Sequence, residues 1–434
     1  MANKRRLVGL AVVLTMALTV SLIYKCASGN GGETKGGEKD KKVNTLPIDT
    51  ALRSRLEAFV GKPRAEGKLA LHVYDITADK TVFGFNEDMA LPSASCMKLL
   101  TGVAGLRLLG SGYNYTTEML TNGKATADGT LTGDMAFKAG LDPQLMAADL
   151  TPFAKAVRET GVKRLQGRLI VDLAITEPVK SEMHWFPWDL TFSKYGLLYK
   201  GAPRVVKQLK AALRAQGIAL ADSQVVMAAV PKGMTSRHKS TRNIDDVIKR
   251  MWKNSSNTQA TSLLYTIGNT VNQKANPAAA GVGYLRSFLR DTLALADSAL
   301  TIHDGCGLCI YNRLSPRSLT AIISYGYNNL DIRPMLERNL AVAGVDGTLA
   351  REMTGPTTRG KIKAKTGTLS HPYGISSLAG LCEGADGHVL AFAIMDSEMS
   401  VLDARVLQKR LCETLVKRED KKRQGEKKED KGRK

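Results

Sequence analysis

Cysteine is scarce: six in 434 residues, at positions 26, 96, 306, 309, 382 and 412. That excludes a disulfide scaffold, in which many bridges staple a small loop-rich fold, although one pair has room to close in an oxidising compartment. Aromatics are few at 6%, but the hydrophobic fraction is 43%, so intrinsic disorder is excluded for the bulk of the chain. No internal repeat is present. Acidic residues are outnumbered, 41 against 62 basic ones, for a net charge of +21. A length of 434 residues exceeds one small core and calls for two or more lobes.

The basic excess first suggests nucleic acid, but the N-terminus argues for export. Lys4, Arg5 and Arg6 precede an apolar run from Leu7 to Tyr24, short for a membrane span and suited to a signal-peptide core or an uncleaved anchor. Cys26 stands where a lipidated cysteine would, yet Lys25 replaces the small residue such signals want. Cleavage after Ser28 is the competing reading. A secreted chain rarely meets nucleic acid, so none is assigned. An anionic envelope polymer or membrane surface is the fitting partner, with simple solubility the plainer account of the charge. Residues 29–46 read as a flexible linker and 417–434 as a disordered charged tail.

Between them the pattern is mixed α/β. Asp49 can cap a helix presenting Leu52, Leu56 and Phe59. Leu69 to Ile76 and Thr81 to Phe85 alternate about a turn and read as a β-hairpin, and Met97 to Leu109 is helical. From 111 to 240 turn signals separate short alternating segments, with one basic helix, so this stretch reads as an inserted, mostly β subdomain. Helical pattern resumes at Ile244 and carries Ser255 and Asn257 near the start of the apolar Thr261 to Ile267 stretch. Lys361 to Thr368, Ile375 to Cys382 and His388 to Asp396 read as strands, and Leu402 to Val416 as a closing helix. The first hairpin and these late strands can share one sheet with the Ser95 helix packed against it. Residues 47–110 and 241–416 would form that catalytic body.

Three motifs stand in order on this framework: Ser95-Cys96-Met97-Lys98, Ser255-Ser256-Asn257 and Lys365-Thr366-Gly367. The trio is that of penicillin-binding proteins and serine β-lactamases. Lys98 lies one helical turn from Ser95, on the same face. Desolvation, or a second cation such as Lys365, would lower its pKa and make it a base for the serine. Ser255 can relay the proton to a leaving amine, and Asn257 can hold substrate amide or Lys98. Lys365 and Thr366 suit a substrate carboxylate. Gly367 lets the backbone approach the substrate closely, and the N–H groups of Ser95 and Thr368 can form an oxyanion hole. Each motif alone is weak: Ser236 to Lys239 repeats S-x-x-K, and Ser28 to Asn30 repeats S-x-N. The plain alternative is a surface serine with two solvated lysines.

Here the sequence resembles the D-alanyl-D-alanine carboxypeptidase/endopeptidases, the class C low-molecular-mass penicillin-binding proteins. Ala343-Gly344-Val345-Asp346-Gly347-Thr348-Leu349, Asp304-Gly305-Cys306-Gly307-Leu308 and Gly140-Leu141-Asp142-Pro143 resemble further stretches of that family, and the likeness runs over residues 47 to 416. It implies a penicillin-recognising, transpeptidase-like sheet with helices on both faces, interrupted by the insertion. It also implies removal of the terminal D-Ala of a peptidoglycan stem peptide, or cutting of a D-Ala–diaminopimelate cross-link, in the periplasm or cell envelope, with β-lactams as covalent inhibitors. By position Ser95 would be the nucleophile, Lys98 the base, Ser255 and Asn257 the second motif, and Lys365 and Thr366 the carboxylate clamp. Ser370 to Tyr373 would lengthen the rim after the third motif.

Two alternatives bear on this reading. A class A β-lactamase needs a further glutamate to activate the deacylating water, and no E-x-x-L-N-like segment is found between Ser95 and Ser255. A non-catalytic wall-binding relative would rely on the basic body, with salt-sensitive affinity. Cys306 and Cys309 form a C-x-x-C beside His303, which invites a redox or zinc reading. The remaining ligands do not appear at metal-site spacing and no thioredoxin-like strand precedes the pair, so no metal or cofactor is assigned.

Overall fold

The structure, a computed structural model, describes residues 46–187, 189, 195–370 and 374–417. The N-terminal apolar run with Cys26, the linker up to residue 45, the charged tail after Lys417 and the rim residues 371–373 lie outside the described residues.

Asp49 caps helix α1 (Thr50–Val60) by accepting the amide of Leu52 at 2.8 Å, and Leu52, Leu56 and Phe59 are its buried face. The hairpin is strands β1 (Lys68–Asp75) and β2 (Lys80–Phe85). After it comes helix α2 (Met97–Leu109). Between Asn114 and Asn243 lie β3 (Asn114–Thr121), β4 (Met135–Ala139), helix α3 (Thr151–Glu159), β5 (Leu169–Leu173), helix α4 (Ala202–Ala215), β6 (Val225–Met227) and β7 (Thr235–Asn243). These strands make a five-stranded sheet of order β7-β3-β4-β5-β6, in which β4, β5 and β6 run parallel. The second S-x-x-K, Ser236 to Lys239, falls inside strand β7.

The chain then forms helices α5 (Ile244–Trp252), α6 (Asn257–Val271), α7 (Pro277–Ser287), α8 (Pro316–Asn328) and α9 (Arg333–Asn339). It ends in β8 (Ala341–Val342), β9 (Ile362–Leu369), β10 (Ile375–Glu383), β11 (Val389–Ser397) and helix α10 (Val401–Val416). The main sheet is antiparallel throughout, of order β8-β9-β10-β11-β1-β2. The first hairpin and the late strands do share it.

Side-chain alternation sorts the two faces of that sheet, as the period of two requires. Leu69, Leu71, Val73, Leu390, Phe392 and Ile394 join α1 and α10 in one core, whereas Ala70, Ala391, Ala393 and Met395 join the core of α2, α6 and α8. The expectation that the Ser95 helix lies on the sheet needs correcting. Helix α8 covers β1, β10 and β11, the short turn Ala94–Cys96 touches β9 and β10, and α2 packs on α6 and α8 one layer out. The reason is in the helix itself: every residue from Met97 to Leu106 is buried, and a helix apolar all round belongs inside, between other helices.

Candidate active site

Ser95 sits in a single 3₁₀ turn, Ala94–Cys96, that runs straight into α2. Gly307 fixes the turn from behind: its φ is +82°, and a Cβ there would collide with the Ala94 carbonyl. Ala94 itself has φ +43°, a left-handed value costly for a residue other than glycine, and such strain is found where a site is held in place by its surroundings.

Lys98 follows one turn later and is fully buried. Its Nζ lies 2.8 Å from Ser95 Oγ, 2.8 Å from Asn257 Oδ1 and 2.6 Å from the carbonyl of Cys306. Burial pushes the Lys98 amine below the ordinary lysine range, against a smaller upward pull from Cys306, Asp304 and Cys96. A neutral amine has two N–H donors. In that form Asn257 Oδ1 and the Cys306 carbonyl would take both and leave the lone pair for the Ser95 hydroxyl.

The second motif departs from the sequence reading. Helical pattern was expected to continue from Ile244 through Ser255, but α5 ends at Trp252 and α6 starts at Asn257. Ser255 lies in the link between them with φ +58°, and Ser256 caps α6 by accepting the amide of Gln259 at 3.4 Å. The break turns Ser255 Oγ toward the third motif, 2.8 Å from Lys365 Nζ. Lys365 is also fully buried and donates to the Thr366 carbonyl at 2.7 Å. Burial first, then repulsion from Lys98, pushes its pKa down to about 7.

Gly367 faces Ser377 across β9 and β10. A Cβ there would overlap Ser377 Oγ and come within 2.9 Å of the Ser93 carbonyl and 3.0 Å of the Ser95 amide. Glycine is therefore required by close approach of the chain to itself, a different reason from the approach to substrate that the sequence suggested. Ser95, Ser255, Thr366, Gly367 and Thr368 line one cleft of about 360 Å³. A pocket of about 490 Å³ at Tyr327, Lys361 and Cys382 contains none of the motif residues, so size does not mark the site here.

Several contributors carried no role in the sequence reading. Thr348 accepts from Thr366 Oγ1 at 2.8 Å and lines the cleft with Ser377 and Arg405. Trp252 donates its indole N–H to the Lys98 carbonyl at 2.7 Å. Asp304 is the anchor of its loop: its carboxylate accepts from the amides of Cys306, Gly307 and Cys309, from Asn312 and from the indole of Trp185, all between 2.6 and 2.9 Å. This network aims the Cys306 carbonyl at Lys98. The D-G-x-G-L likeness was the available signal; the reach of Trp185 from across the chain was not. The described cysteines are all buried free thiols.

Several known proteins resemble this chain. D-alanyl-D-alanine carboxypeptidase DacB of Haemophilus influenzae is 23% identical over 73% of this chain and 83% of its own length. A D-alanyl-D-alanine carboxypeptidase of an Actinomadura species is 22% identical over 80% of this chain and 81% of its own. Among solved structures, penicillin binding protein 4 of Haemophilus influenzae superposes with a TM-score of 0.69 at 20% identity, over 86% of this chain and 100% of that one. It has also been crystallised with a β-lactam. A predatory endopeptidase of Bdellovibrio bacteriovorus, in complex with an immunity protein, gives 0.54 at 19% identity, over 81% and 96%. These structures show the penicillin-recognising fold. Residues 52–196 and 198–418 match the D-Ala-D-Ala carboxypeptidase 3 (S13) family, and with the match spanning most of its length the chain belongs to that family of serine peptidases.

Proposed function

We propose that this enzyme cleaves the terminal D-Ala of peptidoglycan stem peptides, or a D-Ala cross-link, through an ester on Ser95. The observation that carries the reading is the buried Lys98 Nζ, 2.8 Å from both Ser95 Oγ and Asn257 Oδ1 and 2.6 Å from the Cys306 carbonyl. Lys98 takes the hydroxyl proton as Ser95 Oγ attacks the penultimate D-Ala carbonyl. The Ser95 and Thr368 amides receive the oxyanion, an interaction worth about 3 kcal/mol per donor. As the peptide bond breaks, the proton held by Lys98 passes through Ser255 to the departing amine, which leaves Lys98 neutral and Ser255 with its own proton restored. Lys365 and Thr366 hold the terminal carboxylate, with Arg405 adding charge at the rim. Water, activated by Lys98, then attacks the ester and frees Ser95.

β-Lactams would acylate Ser95 in the same way and leave slowly, because no glutamate is assigned to activate water against that adduct. Residues 111–240 are read as the insertion that shapes the cleft for a peptide donor. The site of action is the cell envelope, reached through the N-terminal apolar run as a cleaved signal or an anchor. The test is labelling with a fluorescent penicillin, peptide mapping, and assay of D-Ala release from purified muropeptides. A Ser95 adduct and D-Ala release, both abolished in Ser95→Ala, support the reading. A folded protein that forms no adduct and releases nothing overturns it in favour of a non-catalytic wall-binding protein, and rapid β-lactam hydrolysis would replace it with a β-lactamase.

A further inference from the structure

The two cysteines of the C-x-x-C part company in the fold. Cys306 turns into the catalytic core, where its carbonyl meets Lys98. Cys309 belongs to a different group. Glu182 Oε1 lies 2.7 Å from His184 Nδ1 and 3.9 Å from His303 Nδ1. One ligand atom each of Glu182, His184, His303 and Cys309 lie within 4.8 Å of one another. Two of the four residues come from the insertion and two from the Asp304 loop, about 120 residues on, so no local spacing could have announced them.

We propose that these four side chains form a binding site for a divalent transition cation of the zinc type. The donor set decides the class of ion. Two imidazole nitrogens and a thiolate favour zinc over magnesium or calcium, which take oxygen ligands, and a carboxylate completes four-coordination. Zinc holds such ligands at about 2.0–2.3 Å, so the edges of its tetrahedron measure roughly 3.3–3.8 Å. The 2.7 and 3.9 Å separations of Glu182 from the two imidazoles fall on either side of that range, and all four ligand atoms lie within 4.8 Å of one another. The ligands are also held from outside. Asp304 binds the Cys309 amide at 2.8 Å and the Trp185 indole at 2.6 Å, fixing the backbone on both sides of the site. The Asn312 side chain accepts the His303 amide at 2.7 Å. The His184 and His303 rings stand at 83° to one another with Tyr311 packed against both. Such outer contacts orient ligands and raise metal affinity. On binding, Cys309 releases its thiol proton to solvent and the imidazoles bind as neutral ligands. The cation would clamp the insertion to the loop that presents the Cys306 carbonyl to Lys98.

The site does not depend on the catalytic assignments, and its test does not read catalysis. The full chain is freed of metal with a chelator, then titrated with zinc chloride against a chromophoric competitor and, separately, with cobalt(II). One equivalent of zinc, a tetrahedral cobalt spectrum and a sulfur-to-cobalt charge-transfer band are expected. The Cys309→Ser variant should lose that band, and His184→Ala should weaken zinc at least about tenfold. Zinc should raise the melting temperature of the parent and leave His184→Ala unmoved. His184 is partly exposed, with a side-chain accessibility of 33%, so its variant guards against a misfolded Cys309→Ser. A second cluster, Asp75, Asp386 and His388, is the control, and His388→Ala should bind like the parent. The proposal is overturned by failure of the parent to take up zinc stoichiometrically. It is equally overturned if uptake survives both ligand variants and falls in His388→Ala.

Discussion

Replacing Gly367 by alanine adds one methyl group at the tightest point of the cleft. Gly367 has no left-handed φ, so the penalty is steric. The new Cβ overlaps Ser377 Oγ and stands 2.9 Å from the Ser93 carbonyl and 3.0 Å from the Ser95 amide. Rotating the Ser377 hydroxyl away breaks its 2.8 Å bond to the Ser93 carbonyl and leaves the two backbone contacts in place. Strand β9 and the Ser95 turn must therefore separate by several tenths of an ångström. Overpacking of this kind costs about 1–3 kcal/mol of stability. The rate suffers more, because the Ser95 amide is the proposed oxyanion donor: losing one donor costs about 10²–10³-fold, and a 1 Å misplacement about 10²-fold. The second-order rate of β-lactam acylation should fall about a hundredfold, with thermal unfolding run alongside to show a folded protein. The double variant Gly367→Ala/Ser377→Ala should regain part of the stability and little of the rate. An acylation rate for Gly367→Ala within a few-fold of the parent would refute the reasoning.

Lys365 must be protonated to hold a carboxylate. With its pKa at about 7, KM for a D-Ala-D-Ala peptide should climb as pH rises through that value. Lys365→Arg, which keeps its charge, should abolish the climb even where kcat is lower; an unchanged profile counts against the clamp. Asp396 is buried, with one oxygen unpartnered, and burial raises its carboxyl to about 7. The folded state therefore binds this proton more tightly than the unfolded one. Its stabilisation is complete below the unfolded pKa of about 3.9 and is lost as pH rises to about 7. Asp396→Asn should remove that slope and gain on the order of a few kcal/mol above neutrality; equal urea midpoints at mildly acidic and mildly alkaline pH in the parent would contradict this. Asp304→Ala orphans five donors at once and should cost roughly 3–5 kcal/mol, with slower acylation as the Cys306 carbonyl drifts from Lys98. A variant as stable and as fast as the parent would show that the loop holds its shape without the carboxylate.

The strands of the main sheet were legible because alternation and turn residues are local signals, and β1, β2, β9, β10 and β11 fall within a residue or two of their expected limits. Helix α2 was legible as a helix but not in its place. A stripe tells which neighbour a helix faces, and a helix buried on every side has no stripe. The link at Ser255 was missed because the sequence runs helical on both sides of it. A left-handed serine is marked by nothing in its identity, since glycine is the residue that announces such a φ. The third motif was readable because Lys365, Thr366 and Gly367 lie on one strand, β9, where spacing fixes direction, and the first because the turn that carries Ser95 runs straight into the helix that carries Lys98.

What spacing cannot report is convergence from afar, and Asp304 shows why that matters to the chemistry. Its carboxylate gathers donors from its own loop and one from Trp185 in the insertion. The same loop then supplies Lys98 with a carbonyl acceptor through Cys306 and, on its outer side, brings His303 and Cys309 to Glu182 and His184. On the proposed mechanism the action of Lys98 as a base draws on that carbonyl. Withdrawn from Cys306, the amine would have an N–H free for the serine oxygen, and its lone pair would no longer be aimed at the hydroxyl proton. On the proposed mechanism Trp185 therefore bears on the reaction from a distance, through the Asp304 carboxylate that holds the loop beside Lys98.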